Sequence, residues 1–223
     1  MKIKNLIAAV MLLAGIASCA NLDDKVKGDL YTAEVTVKTA EDNTVFLQLT
    51  DDVKLHAGQF RGYGKEVRAL TQFVLLDENT APGYDGSVQI MWIDTILTKK
   101  IIFPSEEGGR VEVPGLDPID IYNDWMTCVE DGYLTLHVRS WGGMYSPVKH
   151  SLDLVKYPDS DPYEVKLVHN ANGDAREILN EGIVAFSLDG LPDTDGATVK
   201  LKLKWTRLDG SEGETEFDYK TRK

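Results

Sequence analysis

The segment Val199-Lys200-Leu201-Lys202-Leu203-Lys204-Trp205 alternates apolar and charged residues without a break. Side chains of an extended strand point to opposite faces in turn, so a period of two gives one apolar and one polar face. On a helix the same residues would be scattered around the axis. Val199, Leu201, Leu203 and Trp205 are therefore expected to face a core. The three lysines face solvent, where they would guard an edge against pairing. Leu208-Asp209-Gly210-Ser211 turns the chain, and Thr215, Phe217 and Tyr219 return it. The same period recurs at Ile119 and Ile121, over 133–139, at Leu152 and Leu154, at Val165 and Leu167, and at Val184, Phe186 and Leu188. About seven short strands separated by turn signals read as a β-sandwich. One helical turn or two is expected around Ala175 to Asn180.

Upstream the period is the same but the grouping differs. Val35 and Val37, then 44–49, then Val53 and Leu55, then 67–76 and 87–96 make five strands. Gly58 to Gly64 forms one long glycine-bearing connection, and Pro82-Gly83 with Asp85-Gly86 marks a turn. Five strands with this spacing fit a small barrel of the OB type. An open five-stranded sandwich would alternate identically. Pro104-Ser105-Glu106-Glu107-Gly108-Gly109 interrupts the pattern. The expected class is therefore all-β: an OB-like five-stranded barrel over 31–103, followed by a β-sandwich over 104–223.

The first 30 residues are of another kind. Lys2 and Lys4 precede an apolar run, Leu6 to Gly15, and small residues lead into Ile16-Ala17-Ser18-Cys19. That is the layout of a secretory leader. The run is too short for the ~20 residues that span a bilayer as a helix. Ile-Ala-Ser-Cys resembles the lipobox, whose cysteine takes a diacylglycerol and becomes the new N-terminus. Residues 1–18 are expected to be a lipoprotein signal, Cys19 the lipidation site and 19–30 a polar tether. Asp23-Asp24 behind the cysteine is similar to the tag that sends lipoproteins to the outside of an outer membrane. The expected location is a bacterial outer membrane, lipid-anchored, toward the cell surface. With Cys19 acylated, Cys128 has no intramolecular partner, and the fold must rest on its core without disulfides. In Trp125-Met126-Thr127-Cys128-Val129 the thiol reads as a small hydrophobe.

The formal charge is −12, and losing Lys2 and Lys4 with the leader takes it to −14. Nucleic-acid affinity comes chiefly from Lys and Arg on phosphates, so this balance argues against nucleic acid. It also argues against a basic membrane-binding patch, leaving the lipid as the membrane link. Residues 31–103 hold 7 Lys and Arg against 10 Asp and Glu, and residues 104–223 hold 13 against 23. An acidic sandwich on a tether suits a basic protein or peptide ligand.

Motifs for catalysis are missing. There is no Gly-x-Ser-x-Gly elbow and no phosphate-binding loop. None of His56, His137, His150 and His169 has a second His or Cys at zinc-ligand spacing, so no metal and no cofactor are expected. His137 is expected on a surface or half-buried. Two carboxylates could meet in the fold as glycosidases require, which the sequence does not show. Asn170-Ala171-Asn172-Gly173-Asp174, with Glu181 at the twelfth position counting Asn170 as the first, raises a calcium question. An EF-hand loop needs glycine at its sixth position, which here is Ala175. Asn172-Gly173 reads better as a type I′ hairpin turn, and Asp195-Gly196 likewise. Trp125, Tyr133, Trp141 and Tyr145 crowd into a short span beside Gly142-Gly143, with Tyr122 close by. Exposed aromatics next to flexible glycines form a candidate contact surface for a protein or a sugar.

Taken in order, several segments resemble one family. They are the leader, Trp92-Ile93-Asp94-Thr95-Ile96-Leu97-Thr98-Lys99-Lys100, Asp117-Pro118-Ile119, Gly132-Tyr133-Leu134, His150-Ser151-Leu152-Asp153-Leu154-Val155 and His169-Asn170-Ala171-Asn172-Gly173-Asp174. The chain is similar to the NigD-like proteins over nearly its full length, departing at Trp141-Gly142-Gly143. The resemblance implies an N-terminal OB domain, a C-terminal β-sandwich and a bacteriocin-immunity role. It brings no catalytic residues. The alternatives are an accessory carbohydrate-binding lipoprotein and a glycoside hydrolase.

Overall fold

The computed structural model describes residues 29–76, 80–104 and 115–222. The leader, Cys19 and most of the 19–30 tether lie outside the described residues, as does most of the 104–109 break. Among the described residues there is no helix, and the chain divides into two units between Ile96 and Leu97.

The first unit holds β1 (Leu30–Thr39), β2 (Val45–Gln48), β3 (Lys54–His56), β4 (Val67–Leu76) and β5 (Gly86–Thr95). They close into a barrel in the order β1-β2-β3-β5-β4. Closure comes from a parallel contact, Leu55 opposite Gly86, while the other pairs are antiparallel. β1 is long enough to serve two neighbours: Leu30 to Val37 pair with β4, and Thr36 to Thr39 with β2. A register shift at Gln72/Phe73 lets β4 and β5 curve around the core. Val35, Val37, Leu47, Leu55, Ala69, Phe73 and Val88 fill the interior. This is the OB-type barrel, not the open sandwich.

The other face of β1 is also buried. Glu34 and Thr36 alternate with Val35 and Val37, yet both are covered, and so is Arg68 on β4. Arg68 Nη2 donates to Glu34 Oε2 at 3.3 Å and Nη1 to Thr36 Oγ1 at 3.4 Å. An ion pair removed from water is held by its geometry rather than by net gain.

The second unit contains β6 (Leu97–Lys100), β7 (Asp120–Ile121), β8 (Cys128–Glu130), β9 (Tyr133–Gly142), β10 (Ser151–Val155), β11 (Glu164–Asn170), β12 (Ile178–Ser187), β13 (Val199–Thr206) and β14 (Glu212–Tyr219). One sheet runs β10-β11-β13-β14; the other runs β6-β12-β9-β7, with β8 also on β9. Leu134, Leu136, Leu154, Leu167, Phe186, Leu201 and Leu203 form the core between them.

Three expectations change here. Residues 97–100, read as part of the first domain, pair in parallel with β12 of the second. The segment Ala175 to Asn180 is not helical: the Glu177 N–H donates to Gly142 O, and β12 begins at Ile178. The alternating lysines do not guard an edge, because β13 lies inside its sheet between β11 and β14. They face acids instead: Lys200 Nζ lies 2.6 Å from Asp218 and Lys204 Nζ 3.0 Å from Glu164. Trp205, next to the end of that strand, lies over Gly213, where a Cβ would fall 2.3 Å from the indole.

The turn chemistry holds while its use differs. Asn172 and Gly173 have φ of 53° and 75°, and the Asp174 N–H closes the turn on Ala171 O. These are type I′ values. The turn does not make a hairpin, since β11 and β12 belong to different sheets. It carries the chain across the sandwich. Asp195-Gly196, with φ of 52° and 78°, does the same between β12 and β13.

Candidate functional site

The inward rows of the sandwich are apolar until they reach one end. On β9 the row Leu134, Leu136, Val138 continues to Ser140. On β12, Asn180 stands opposite Ser140. On the facing sheet Leu154 and Leu152 lead back to His150, and Val165 and Leu167 lead on to His169. Period two therefore brings four polar side chains to the same end of the core. His169 is buried; its partner strand places Leu152 opposite it and His150 one diagonal step away.

The two histidines meet. His150 Nδ1 lies 3.0 Å from His169 Nε2, with the ring planes tilted by 40°. Each outer nitrogen is fixed: His150 Nε2 lies 3.1 Å from Asp174 Oδ2, and His169 Nδ1 lies 3.2 Å from Pro118 O. Ser140 Oγ lies 3.5 Å from His150 Nδ1. Burial, then the neighbouring His150, lowers the pKa of His169 from its ordinary value.

Asp174 links this pair to the loop above it. Its Oδ1 accepts from the Ser146 hydroxyl at 2.6 Å and the Ala175 N–H at 2.9 Å; its Oδ2 accepts from the Gly143 N–H at 3.0 Å. The hydroxyl of Ser146, then the Gly143 amide, hold its carboxyl far below the usual carboxylate range. The Met144 N–H donates to Glu177 Oε2 at 2.8 Å, and Asn172 Nδ2 donates to Lys149 O at 2.6 Å. Three residues, Asp174, Glu177 and Asn172, thus tie loop 143–149. Gly142 and Gly143 serve close approach, not flexibility: a Cβ at Gly143 would fall 3.0 Å from Asp174, and one at Gly142 would fall 2.6 Å from the Asn180 amide. A carboxyl whose folded pKa is depressed adds stability that is complete above its unfolded value of 3.8 and lost as pH falls toward the folded one. The loop is expected to stay tied from neutral pH down to about pH 4 and to loosen below it; amide exchange at Gly143 and Met144 checks this.

What the tied loop presents is apolar. Tyr145 is 96% exposed, and Met144 and Val148 are exposed beside it. Tyr145 also has φ of 65°, a left-handed conformation that a bulky residue adopts only when its surroundings impose it. A cavity of about 360 Å³ beneath is lined by Tyr145, Val148, Ser140, His150, Asp174 and Asn180. A second, of about 170 Å³, is lined by Trp141, His169, Asp117, Asp174 and Arg176.

Of the four aromatics expected to form a contact surface, the fold brings Trp141 and Tyr145 to these two cavities. Trp125 sits on the turn before β8, about one-third exposed, and lines neither. Tyr133 is buried, with the Arg222 guanidinium 5.3 Å from its ring centre, and offers no contact face. Sequence reasoning missed His150, His169, Asp174 and Glu177. The available signal was parity: extending the inward rows by one step reaches both histidines.

A second cluster lies on the outer face of β9. His137 is half-buried, with Nδ1 2.7 Å from Asp124 and Nε2 3.8 Å from Glu181, so the ring separates the two carboxylates. Tyr122 stacks on His137 with centroids 4.3 Å apart and donates to Glu181, which raises its pKa. Arg139 lies over Tyr122 and pairs with Asp120 at 3.2 Å. These contacts link β7, β9 and β12 through their side chains, as in a surface network that ties strands together. Cys128 is a half-buried thiol on β8.

Two family models match the chain: a NigD-like N-terminal OB domain over 34–96 and a NigD-like C-terminal beta sandwich domain over 100–219. The chain belongs to the NigD-like family. Solved structures agree with the NigD-like architecture. A toxin-related protein from Parabacteroides distasonis is 31% identical, with 86% of this chain and 94% of that one covered and a TM-score of 0.70. A protein of unknown function from Bacteroides vulgatus is 22% identical over 86% and 91%, with a TM-score of 0.69. A NigD-like immunity protein from Bacteroides caccae is 20% identical over 88% and 99%, with a TM-score of 0.56. The last two show the fold alone. No curated protein matches this NigD-like chain in sequence.

Proposed function

We propose that this NigD-like protein is a lipid-anchored binding protein of the bacterial envelope, held at the outer membrane through Cys19. It captures a secreted basic protein or peptide through loop 143–149, performs no catalysis, and so confers immunity of the bacteriocin type. The observation that carries this reading is Tyr145: an exposed ring in a strained backbone, held by three polar ties. A side chain displayed at such a cost to the fold is displayed for contact. Asp174 and Glu177 stand beneath it, and residues 104–223 carry 23 acids against 13 bases, which draws a basic partner and speeds encounter. A NigD-like immunity protein from Bacteroides caccae shares this fold.

Wild-type protein and a Tyr145→Ala variant, used to pull down ligands from envelope extract and culture medium, test this. Salt-sensitive retention of a basic protein by wild type alone is expected; retention indifferent to Tyr145 and to salt sinks the reading. In the same cells Cys19→Ser is expected to move the protein from the membrane to the soluble fraction with its melting temperature unchanged. Fractionation with membranes despite the substitution would refute the anchor.

Trp141 and Tyr145 each lining a cavity that contains Asp174 favours a second reading, capture of a saccharide between ring faces and carboxylate. Glycan binding that disappears in Trp141→Ala would select it.

A further inference from the structure

The contact between His150 and His169 poses a problem in hydrogen-bond accounting. Asp174 accepts only, so the nitrogen facing it, His150 Nε2, carries a proton; Pro118 O accepts only, so His169 Nδ1 carries one too. Two neutral rings have then used their protons. Their remaining nitrogens, His150 Nδ1 and His169 Nε2, lie 3.0 Å apart with no proton left for a hydrogen bond between them. Something electron-poor belongs there.

We propose that His150 and His169 bind a divalent transition-metal ion, copper in preference to zinc, at the inner end of the sandwich. Each ring has the outer contact that metal-bound histidines show, one to a carboxylate and one to a backbone carbonyl, which fixes its tautomer and aims the free nitrogen. Two nitrogens 3.0 Å apart, each about 2.1 Å from a common ion, subtend about 90° at it. Tetrahedral zinc needs a wider angle, whereas tetragonal copper or nickel takes this one. His169 is buried, which shields the site from bulk water. Ser140 Oγ, 3.5 Å from His150 Nδ1, offers an oxygen, and the adjoining cavities give water the remaining positions. Among the described residues no third His, Cys, Asp or Glu joins the pair to hold an ion, so the sphere is completed by weak ligands. Spacing along the chain could not show this site, because one ligand lies just before β10 and the other on β11. An ion here would clamp the base of loop 143–149 to β11.

The test is titration of the purified chain with copper(II) chloride, followed by calorimetry and electron paramagnetic resonance. One ion per chain with two nitrogen ligands is expected, bound more tightly than nickel or zinc. His150→Asn and His169→Gln are expected to abolish it, with folding checked by circular dichroism. Asp174→Asn, which alters the outer contact of His150 and leaves both ligands in place, is expected to weaken it roughly 10–100-fold. His56→Ala and His137→Ala should leave it unchanged. Wild type that takes up no copper, or copper uptake equal in the folded His150 and His169 variants, overturns the site and leaves a proton between the rings. Both outcomes are independent of whether Tyr145 captures a partner.

Discussion

Arg68→Ala is expected to destabilise the barrel by about 3–5 kcal/mol, because it breaks a buried ion pair by removing the cation that faces Glu34. Both side chains are almost wholly removed from water, 0% exposed for Arg68 and 3% for Glu34. At that depth little solvent screens the pair and little can enter to replace it. Thr36 would lose its contact with the guanidinium as well. For a unit of this size the midpoint of melting should fall by roughly 10 °C or more. The decisive comparison is the double variant Arg68→Met with Glu34→Met, which removes both charges and keeps apolar bulk. It is expected to recover most of the loss. If the double variant melts as low as Arg68→Ala, lost packing rather than the broken ion pair is the cause.

Tyr145→Gly is expected to separate stability from capture. Glycine takes φ of 65° freely, so the substitution relieves left-handed strain of about 1–2 kcal/mol. Greater freedom of the unfolded chain returns about 0.5–1 kcal/mol of that. The melting temperature should therefore hold or rise slightly. Binding of the partner should weaken by about 30-fold or more, the effect of removing a central aromatic anchor. Such opposition is the mark of a residue kept for contact at the expense of the fold. A variant that loses stability would show the ring to be packed in the native state, and one that binds unchanged would remove Tyr145 from the interface.

Much of the architecture was legible because alternation reports a strand and its inward face together. Leu201, Leu203 and Trp205 face the core as their spacing requires. What alternation does not report is the neighbour. The lysines of β13 look the same in sequence whether they face open solvent or the acids of β11 and β14, and only the pairing decides. For the same reason 97–100 was assigned to the wrong unit: a strand of four residues says nothing about a partner near 184–187. The helical expectation at 175–180 failed because backbone pairing with Gly142 outweighs weak local preference.

The site was half legible. Trp141 and Tyr145 drew notice as aromatics, and both line it. Tyr133, the first residue of an alternating run, is near them in the sequence and is buried instead. His150 and His169 were judged by their separation along the chain. A sandwich brings such residues together through parity and strand adjacency, which chain separation hides.

The parallel contact of β6 with β12 also governs the order in which the molecule can be made. Leu97 pairs with Val184, so the first strand of the second unit must wait 87 positions for its partner, from 97 to 184. The barrel has no such delay, since β5 completes it at Thr95. An emerging chain can finish the barrel while β6 is still unpaired and the other strands of its sheet are absent. Contacts between residues so far apart also slow a search that begins from the whole chain. Refolding should thus show a fast barrel phase and a slow sandwich phase, and through the slow one the edge of β12 stays open to any strand that reaches it first.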